Sequence, residues 1–540
     1  MRAHSRTLRR TIAGALALIG AAPAAALAQH ALVGLPLADP AYTQLDGLMR
    51  QGCAEARVSQ FRPYFVGDIR NALAAAESDS SCTGTLLAEL RMRFPADTAP
   101  RDTSRSRLSF GAAGTIQATG LKNGTFYPLS QDIRPTSAGE PAVVGIGRVR
   151  FTYDGGPHVL LVTEAFGETD VRNDPHIRES PFRSTSGVVG FQDAYISAEV
   201  GKLIVSLGRA REAWLGEGDE SLVLSANGPA YDRLLLSLRF SKFELRAFAA
   251  TINDVVLDSS RDVLPAGISQ QRWHRFAFGH GLTYHPTKKI ELTLGETAVV
   301  QRQGFTVDLA YLNPLMIYQT TQHDTSQSGA GDANLTGFFA ARATVGHATL
   351  SGEFLVDDIQ IDSKDRANYP NQLGWNLEAA YALPTPMPAS IGVQYRRIDT
   401  FTYIGQVDYS KVYQSFDQPL GSELGPDADM VRGYGELWTS GRLRFVGGIA
   451  RWRHGAYRLT DRPTQNRLGH ANDPYPDVTT DRPEVQRAWI GDLSAEWLDG
   501  IIPITAKIEL ARVTNVNNVS TPAQNLGRFQ LLASYRFRYP

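Results

Sequence analysis

The chain has 540 residues, of which 43% are hydrophobic and 20% charged, with a formal net charge of −1. That neutral balance argues against nucleic acid as a partner, because phosphate backbones are bound through a surplus of Lys and Arg. The mean hydropathy is −0.22, and beyond the first 28 residues no run reaches the roughly 18 consecutive apolar residues of a membrane helix; a β-barrel is not excluded, since its strands are apolar only at alternate positions.

Arg2, Arg6, Arg9 and Arg10 precede an apolar run from Ile12 to about Gly20, and "AAPAAALAQ" follows, with Ala26 and Ala28 flanking Leu27. These are the three parts of a secretory signal peptide. They predict cleavage after Ala28, so that residues 1–28 are removed and the mature chain starts at Gln29; the alternative, a membrane anchor, meets a run that is short and Ala-rich.

Residues 29–104 read as a small helical domain on the periplasmic side. Asp39 caps a helix with Pro40 in its first turn, Leu45, Leu48 and Met49 share its apolar face, and Gly52 stops it. A second helix follows Arg62-Pro63, with Phe65, Ile69, Ala72, Leu73 and Ala76 at helical spacing. A third carries Leu86, Leu87, Leu90 and Phe94. Cys53 and Cys82, the only cysteines, fall at the end of the first and the start of the third. In an exported chain this spacing suggests one disulfide, with a pair of free thiols as the alternative. No Cys or His cluster points to a metal, and no cofactor is expected.

From 105 to 540 the period is two. In "LGWNLEAAY" Leu373, Trp375, Leu377, Ala379 and Tyr381 point one way, and in "ITAKIEL" Ile504, Ala506, Ile508 and Leu510 do the same. The phase flips at Gly201-Lys202, Ser241-Lys242 and Gly346-His347, as tight hairpins require. The other face carries Arg, Lys, Glu, Asn and Gln through strand after strand, which a closed barrel in lipid needs for its lumen. The C-terminal "GRFQLLASYRFRYP" places Phe529, Leu531, Ala533, Tyr535, Phe537 and Tyr539 on one face and Arg528, Gln530, Ser534, Arg536 and Arg538 on the other. At about 24 residues per strand and loop, this part yields a large antiparallel transmembrane β-barrel of about 18 strands, within a range of 16 to 20.

Enzyme signatures are weak, and the chain is read as a non-enzyme. "GEGDES" around Gly216 and Gly218 lacks the lysine of a phosphate loop, and Ser221 is not in a G-x-S-x-G elbow. Asp357, Asp358, Asp362 and Asp365 form one acidic cluster and Asp427 and Asp429 another. Neither has the spacing of a calcium loop, and solvated loops or Arg-paired lumen networks are the plain readings.

Four stretches in order resemble the Wzi-type capsule assembly family. The first, "GRAREAWLGEGDESLVLSAN", holds Gly208, Arg209, Trp214, Gly216, Gly218, Ser221, Leu222, Leu224, Ser225 and Asn227. The others are "LNPLMIY" from Leu312 to Tyr318, "DDIQIDSKDRANYPNQLGW" from Asp357 to Trp375, and "GSELGPDADMVRGYGEL" from Gly421 to Leu437. "RPYFVGDIRNAL", Arg62 to Leu73, fits that family's helical part. The resemblance implies a monomeric outer-membrane barrel, set among lipid and lipopolysaccharide, that binds capsular or extracellular polysaccharide and retains it at the cell surface. Trp214, Gly216, Gly218, Ser221, Asn227, Asp357, Asp358, Asp427 and Asp429 are then candidates for polymer contact or for an inward loop. For the aromatics, an interfacial girdle is the competing reading. A porin or substrate-specific channel is the alternative function; the helical domain favours the anchor, since it would occlude the periplasmic mouth.

Overall fold

The computed structural model describes residues 30–79, 82, 84–96, 106–122, 142–169, 187–215, 221–226, 229–260, 267–304, 307, 309–322, 333–359, 371–404, 409–416, 418–459, 483–498, 500 and 502–539. The signal-peptide reading falls outside them. Eighteen antiparallel strands close into one barrel. They are β1 (Arg107–Lys122), β2 (Ala142–Asp154), β3 (Val159–Thr169), β4 (Gly187–Val200), β5 (Leu203–Ala210), β6 (Tyr231–Phe240), β7 (Phe243–Asp258), β8 (Gln270–Thr287) and β9 (Ile290–Arg302). They continue as β10 (Ala333–Val345), β11 (Ala348–Asp358), β12 (Gln372–Leu383), β13 (Ala389–Ile398), β14 (Ala428–Trp438), β15 (Leu443–His454), β16 (Gln486–Trp497), β17 (Ile504–Thr514) and β18 (Gln524–Tyr539). Each strand pairs with its sequence neighbours, and β18 pairs with β1 from Phe110↔Tyr539 to Lys122↔Gly527.

The three tight turns stand where the phase flips: Val200 faces Leu203, Phe240 faces Phe243 and Val345 faces Ala348. Ser241 and Gly346 adopt positive φ there. A fourth such turn, Lys288-Lys289, joins β8 to β9. These short turns share one end of the barrel, the periplasmic end by the general rule for such proteins. Long connections occupy the other. Outward residues are apolar and open: Leu377, Ile508, Leu510, Phe529 and Leu531 are exposed, whereas Glu509 and Arg528 are buried in the lumen and ion-paired with each other. The side chains of Arg536, Phe537, Arg538 and Tyr539 lie outside the described residues.

The helices are α1 (Pro40–Arg50), α2 (Val66–Glu77) and α3 (Thr85–Arg93). Asp39 Oδ1 accepts from Ala41 N at 2.9 Å, and Gly52 takes the positive φ that ends α1. Phe65 is the residue before α2 rather than part of it. The expected apolar faces are the buried ones. Cys53 and Cys82 are bonded.

This helical unit is lodged in the short-turn mouth. Arg50 Nε donates to Glu436 Oε2 at 2.7 Å, Arg57 Nη2 to Lys288 O at 2.6 Å and Gln44 Nε2 to Gly441 O at 2.8 Å. Thr349 Oγ1 of the wall donates to Met49 O at 3.1 Å. Its apolar core is shared with the wall through Leu160, Val162, Trp438 and Leu498, so the helices are a stopper with part of their core supplied by the barrel.

Two outcomes follow. The bridge closes a loop with a sequence separation of 29, and such closure stabilises by about 3 kcal/mol. Replacing both Cys53 and Cys82 by Ser should speed amide exchange across residues 30–96 while the strands keep their protection and the barrel its heat-modifiable gel mobility. Phe529→Arg places a charge on the lipid face, at a cost of about 2–4 kcal/mol near mid-depth. It should lower the folded yield in vesicles, where Phe529→Tyr leaves it unchanged.

Candidate functional site

The described parts of two long connections turn inward and stack on the helical unit. The first, residues 211–230, leaves the wall after β5. Phe61-Arg62 of the helical unit pair antiparallel with Ala213-Trp214, Leu215 N donates to Gln60 O at 2.7 Å, and Trp214 N to Leu224 O at 2.7 Å. Irregular backbone is tolerated at membrane depth only when buried in protein in this way. The second, residues 399–427 between β13 and β14, lies against the first. Tyr403 Oη donates to Leu222 O at 2.5 Å and Tyr413 Oη to Val223 O at 2.7 Å. Ser225 N reaches Leu420 O at 2.7 Å and Ser225 Oγ reaches Gly421 O at 2.6 Å. A Cβ at Gly421 would fall on Leu222 O and Tyr403 Oη, so only glycine lets the two loops meet.

The wall holds both loops with polar groups. Glu353 of β11 accepts from Leu222 N at 2.8 Å, Ser221 Oγ at 3.3 Å and Asn376 Nδ2 at 3.3 Å. Glu212 is fully buried and pairs with Arg233 at 2.8 Å and Arg246 at 3.4 Å. Arg246 also donates to Phe61 O at 3.2 Å and Pro63 O at 3.1 Å. Below, Arg62 pairs with Asp46 at 2.9 Å and lies over the Tyr42 ring. Burial works to lower the Arg62 pKa, but the Asp46 charge together with the Tyr64 and Tyr42 hydroxyls raises it overall, so the guanidinium stays charged. Burial raises the Tyr403 and Tyr413 phenols. Both therefore keep the protons that bind the first loop.

The predicted site residues separate on this frame. Trp214 has no exposed surface; it packs edge-on against Phe61 at 4.9 Å and Phe248 at 5.1 Å. Ser221 is buried beside it, its hydroxyl bonded to Trp214 O. Asp357 accepts from Tyr403 N at 2.8 Å. Asp427, fully buried, accepts from Thr400 Oγ1 at 2.9 Å and Tyr457 N at 3.2 Å. Asp429 is ion-paired with Arg453 and stands beside the outward Val431. Asp358 is half-buried at the outer end of β11. Gly216, Gly218, Asn227, Asp362 and Asp365 lie outside the described residues. The structure thus buries Trp214, Ser221 and Asp427 within the inward loops, uses half-buried Asp357 to hold the second loop, and leaves Asp358 and the buried Asp429 at the wall. Among the described residues no three acid, His or Cys side chains converge as a metal site.

Glu212, Glu353, Tyr403, Tyr413 and Phe61 do most of the holding and were not singled out from the sequence. One signal was present. Leu355 sits on the polar face of "ATLSGEFLV", and Phe248, Val299 and Phe338 do likewise on their strands; all four belong to the apolar cluster at the barrel centre. Apolar residues on a lumen face mark a filled lumen.

No protein-family model and no curated protein sequence matches the chain. Among solved structures, it is similar to Wzi, an outer membrane protein involved in group 1 capsule assembly in Escherichia coli and a carbohydrate-binding β-barrel. The TM-score is 0.56 with 13% identity, over 94% of this chain and 100% of that one. OprD from Pseudomonas aeruginosa matches more loosely, with a TM-score of 0.44 and 12% identity over 80% of this chain and 96% of that one. OpdQ from the same organism gives 0.43 and 10%, over 81% and 98%. At these identities the likeness is one of fold.

Trp214→Ala should cost about 3–5 kcal/mol of local stability, as truncation of a buried large aromatic does. Amide exchange should rise at residues 221–226 and 412–420 and leave β1–β18 protected; an unchanged pattern would mean that Trp214 does not hold the layer.

Proposed function

We propose that this protein is an outer-membrane anchor that binds and retains capsular or extracellular polysaccharide, with its barrel acting as a sealed pedestal rather than a passage. The observation that carries this reading is the filled lumen: the helical unit, the 211–230 connection and the 399–427 connection are stacked on one another by backbone pairing and buried ion pairs. A diffusion channel needs a continuous wet path, and among the described residues these layers lie across the lumen. The fold likeness to a carbohydrate-binding barrel supports the same reading.

In this account the chain is exported, cut after Ala28, inserted as a monomer, and works as a binder without enzymatic chemistry. Residues 29–104 form the periplasmic stopper. Trp214, Ser221, Asp357 and Asp427 serve the seal. Polymer contact falls to the outer connections and to the rim with Asp358, and Gly216, Gly218 and Asn227 stay candidates for it. Each sugar contact is weak, and the polymer is held because linked contacts act at high effective concentration.

Purified protein in planar bilayers should pass no steady current, and it should retain the host's surface polymer in a pull-down. Deleting the gene should release polymer into the medium without stopping its synthesis. A porin would conduct, and its loss would slow solute uptake while the polymer stayed attached; that pair of results would overturn the anchor reading.

A further inference from the structure

The direction in which residues face is settled for β8 and β9 by their lumenal bonds. Arg275 donates to Val412 O of the second inward loop, and Thr297 Oγ1 is 2.9 Å from Tyr413 Oη. Alternation then turns Phe276, Phe278 and His280 outward in β8, and Glu296, Ala298 and Val300 outward in β9. Other outward positions are open to the surroundings: Leu294 is 60% exposed, Phe339 47% and Ile449 64%. Phe276, Phe278, Ala298 and Val300 are at most 2% exposed. Something covers them on the lipid side of the wall.

The cover is residues 309–322 of the connection between β9 and β10. Its two short helices lie over the outer face of β7 to β10: Leu309–Leu312 against β7 and β8, and Tyr318–Gln322 against β9 and β10. Tyr311 and Tyr318 are buried against the four outward apolar residues. Tyr311 stacks on Phe278 at 5.6 Å, and the Tyr318 ring meets His280 at 4.5 Å. Tyr318 N donates to Glu296 Oε2 at 2.5 Å, and Tyr318 Oη to Tyr311 O at 2.9 Å. A carboxylate on the outer wall would be costly against hydrocarbon; here a backbone N–H and a tyrosine ring shield it.

The cover has an outer surface of its own, and beside exposed Asn313, Gln319 and Thr320 it carries an apolar patch. Leu309 is 77% exposed, Leu315 81%, Ile317 57% and Met316 36%. The segment "LNPLMIY" explains the arrangement. Asn313 Oδ1 accepts from Leu315 N at 3.1 Å, and Asn313 O from Met316 N at 3.1 Å. This Asn-Pro turn throws Leu315, Met316 and Ile317 outward between the anchors Tyr311 and Tyr318. Such a patch on a water-exposed loop would be an aggregation liability.

We propose that residues 309–322, between β9 and β10, are a membrane-immersed saddle, folded over the outside of the barrel, that offers Leu309, Leu315, Met316 and Ile317 to the acyl chains of the outer leaflet. The occupant is identified by continuity: the patch adjoins the outward apolar belt at Leu294 and Phe339, and it lies at the long-connection end of the wall. The proposal rests on the transmembrane barrel and is independent of what the protein binds.

Because Cys53 and Cys82 are bonded to each other and no other cysteine exists, an added cysteine can be labelled alone. Bimane would be placed at Leu315→Cys and, separately, at Leu309→Cys, with Ile449→Cys as the lipid reference and the exposed Ser259→Cys as the aqueous one. The full chain would be folded into phosphatidylcholine vesicles with or without a nitroxide on the acyl chain. The expected result is a loss of fluorescence to the nitroxide lipid at 315 and 309 equal to that at 449, with protection from aqueous iodide. Quenching by iodide as strong as at 259, with none from the lipid, would overturn the proposal in favour of a water-exposed loop. Quenching by neither, with cross-linked dimers, would overturn it in favour of contact between two copies.

Discussion

The whole structure depends on one constraint: in lipid every backbone N–H and C=O must find its partner inside the protein. The chain meets it by pairing β18 with β1, which leaves the sheet no edge. Closure at eighteen strands has a consequence. The ring is wider than its own side chains can fill, so the lumen must hold either water or more protein. Here it holds protein, and the need to seat that protein explains most of the remaining features.

Filling a polar lumen is a different problem from filling an apolar core. Every charge on the wall that the filler covers must be matched, since an unpaired buried charge is far costlier than a paired one. The filler answers with backbone. Arg246 finds the carbonyls of Phe61 and Pro63 as well as Glu212, and Glu353 finds the amide of Leu222. Only at the centre, where Trp214, Phe61 and Phe248 meet, does the interior resemble that of a soluble domain. The stopper, the inward loops and the wall are therefore mutually dependent layers.

Of the three connections described above, two go inward and one outward. The difference lies in what the wall presents. Glu353 and Asp357 face the lumen and accept from the amides of Leu222 and Tyr403. Glu296 faces the lipid side and accepts from Tyr318 N. In each case a carboxylate on the wall captures a loop backbone amide, and the parity of that carboxylate in its strand decides the side on which the loop lies.

Much of this was legible in the residues. The period of two, the phase flips at Gly201, Ser241 and Gly346, the helical faces around Leu48, Leu73 and Leu90, and the pairing of Cys53 with Cys82 are local or near-local properties, set by a repeat length or a turn. The lipid-facing set follows for the same reason, because one residue of slip would exchange every face. The candidate site was legible only as a set of residue types. Nothing local distinguishes Trp214 at a polymer surface from Trp214 in a buried layer, or Asp427 in a solvated loop from Asp427 beneath Thr400. Those outcomes depend on groups far apart in the chain: Trp214 on Phe61, Leu222 on Glu353 and Tyr403, and Tyr318 on Glu296. Barrel closure alone brings such groups to the same height and the same side of the wall, so the tertiary structure decided where each loop lies and which side chains stay exposed.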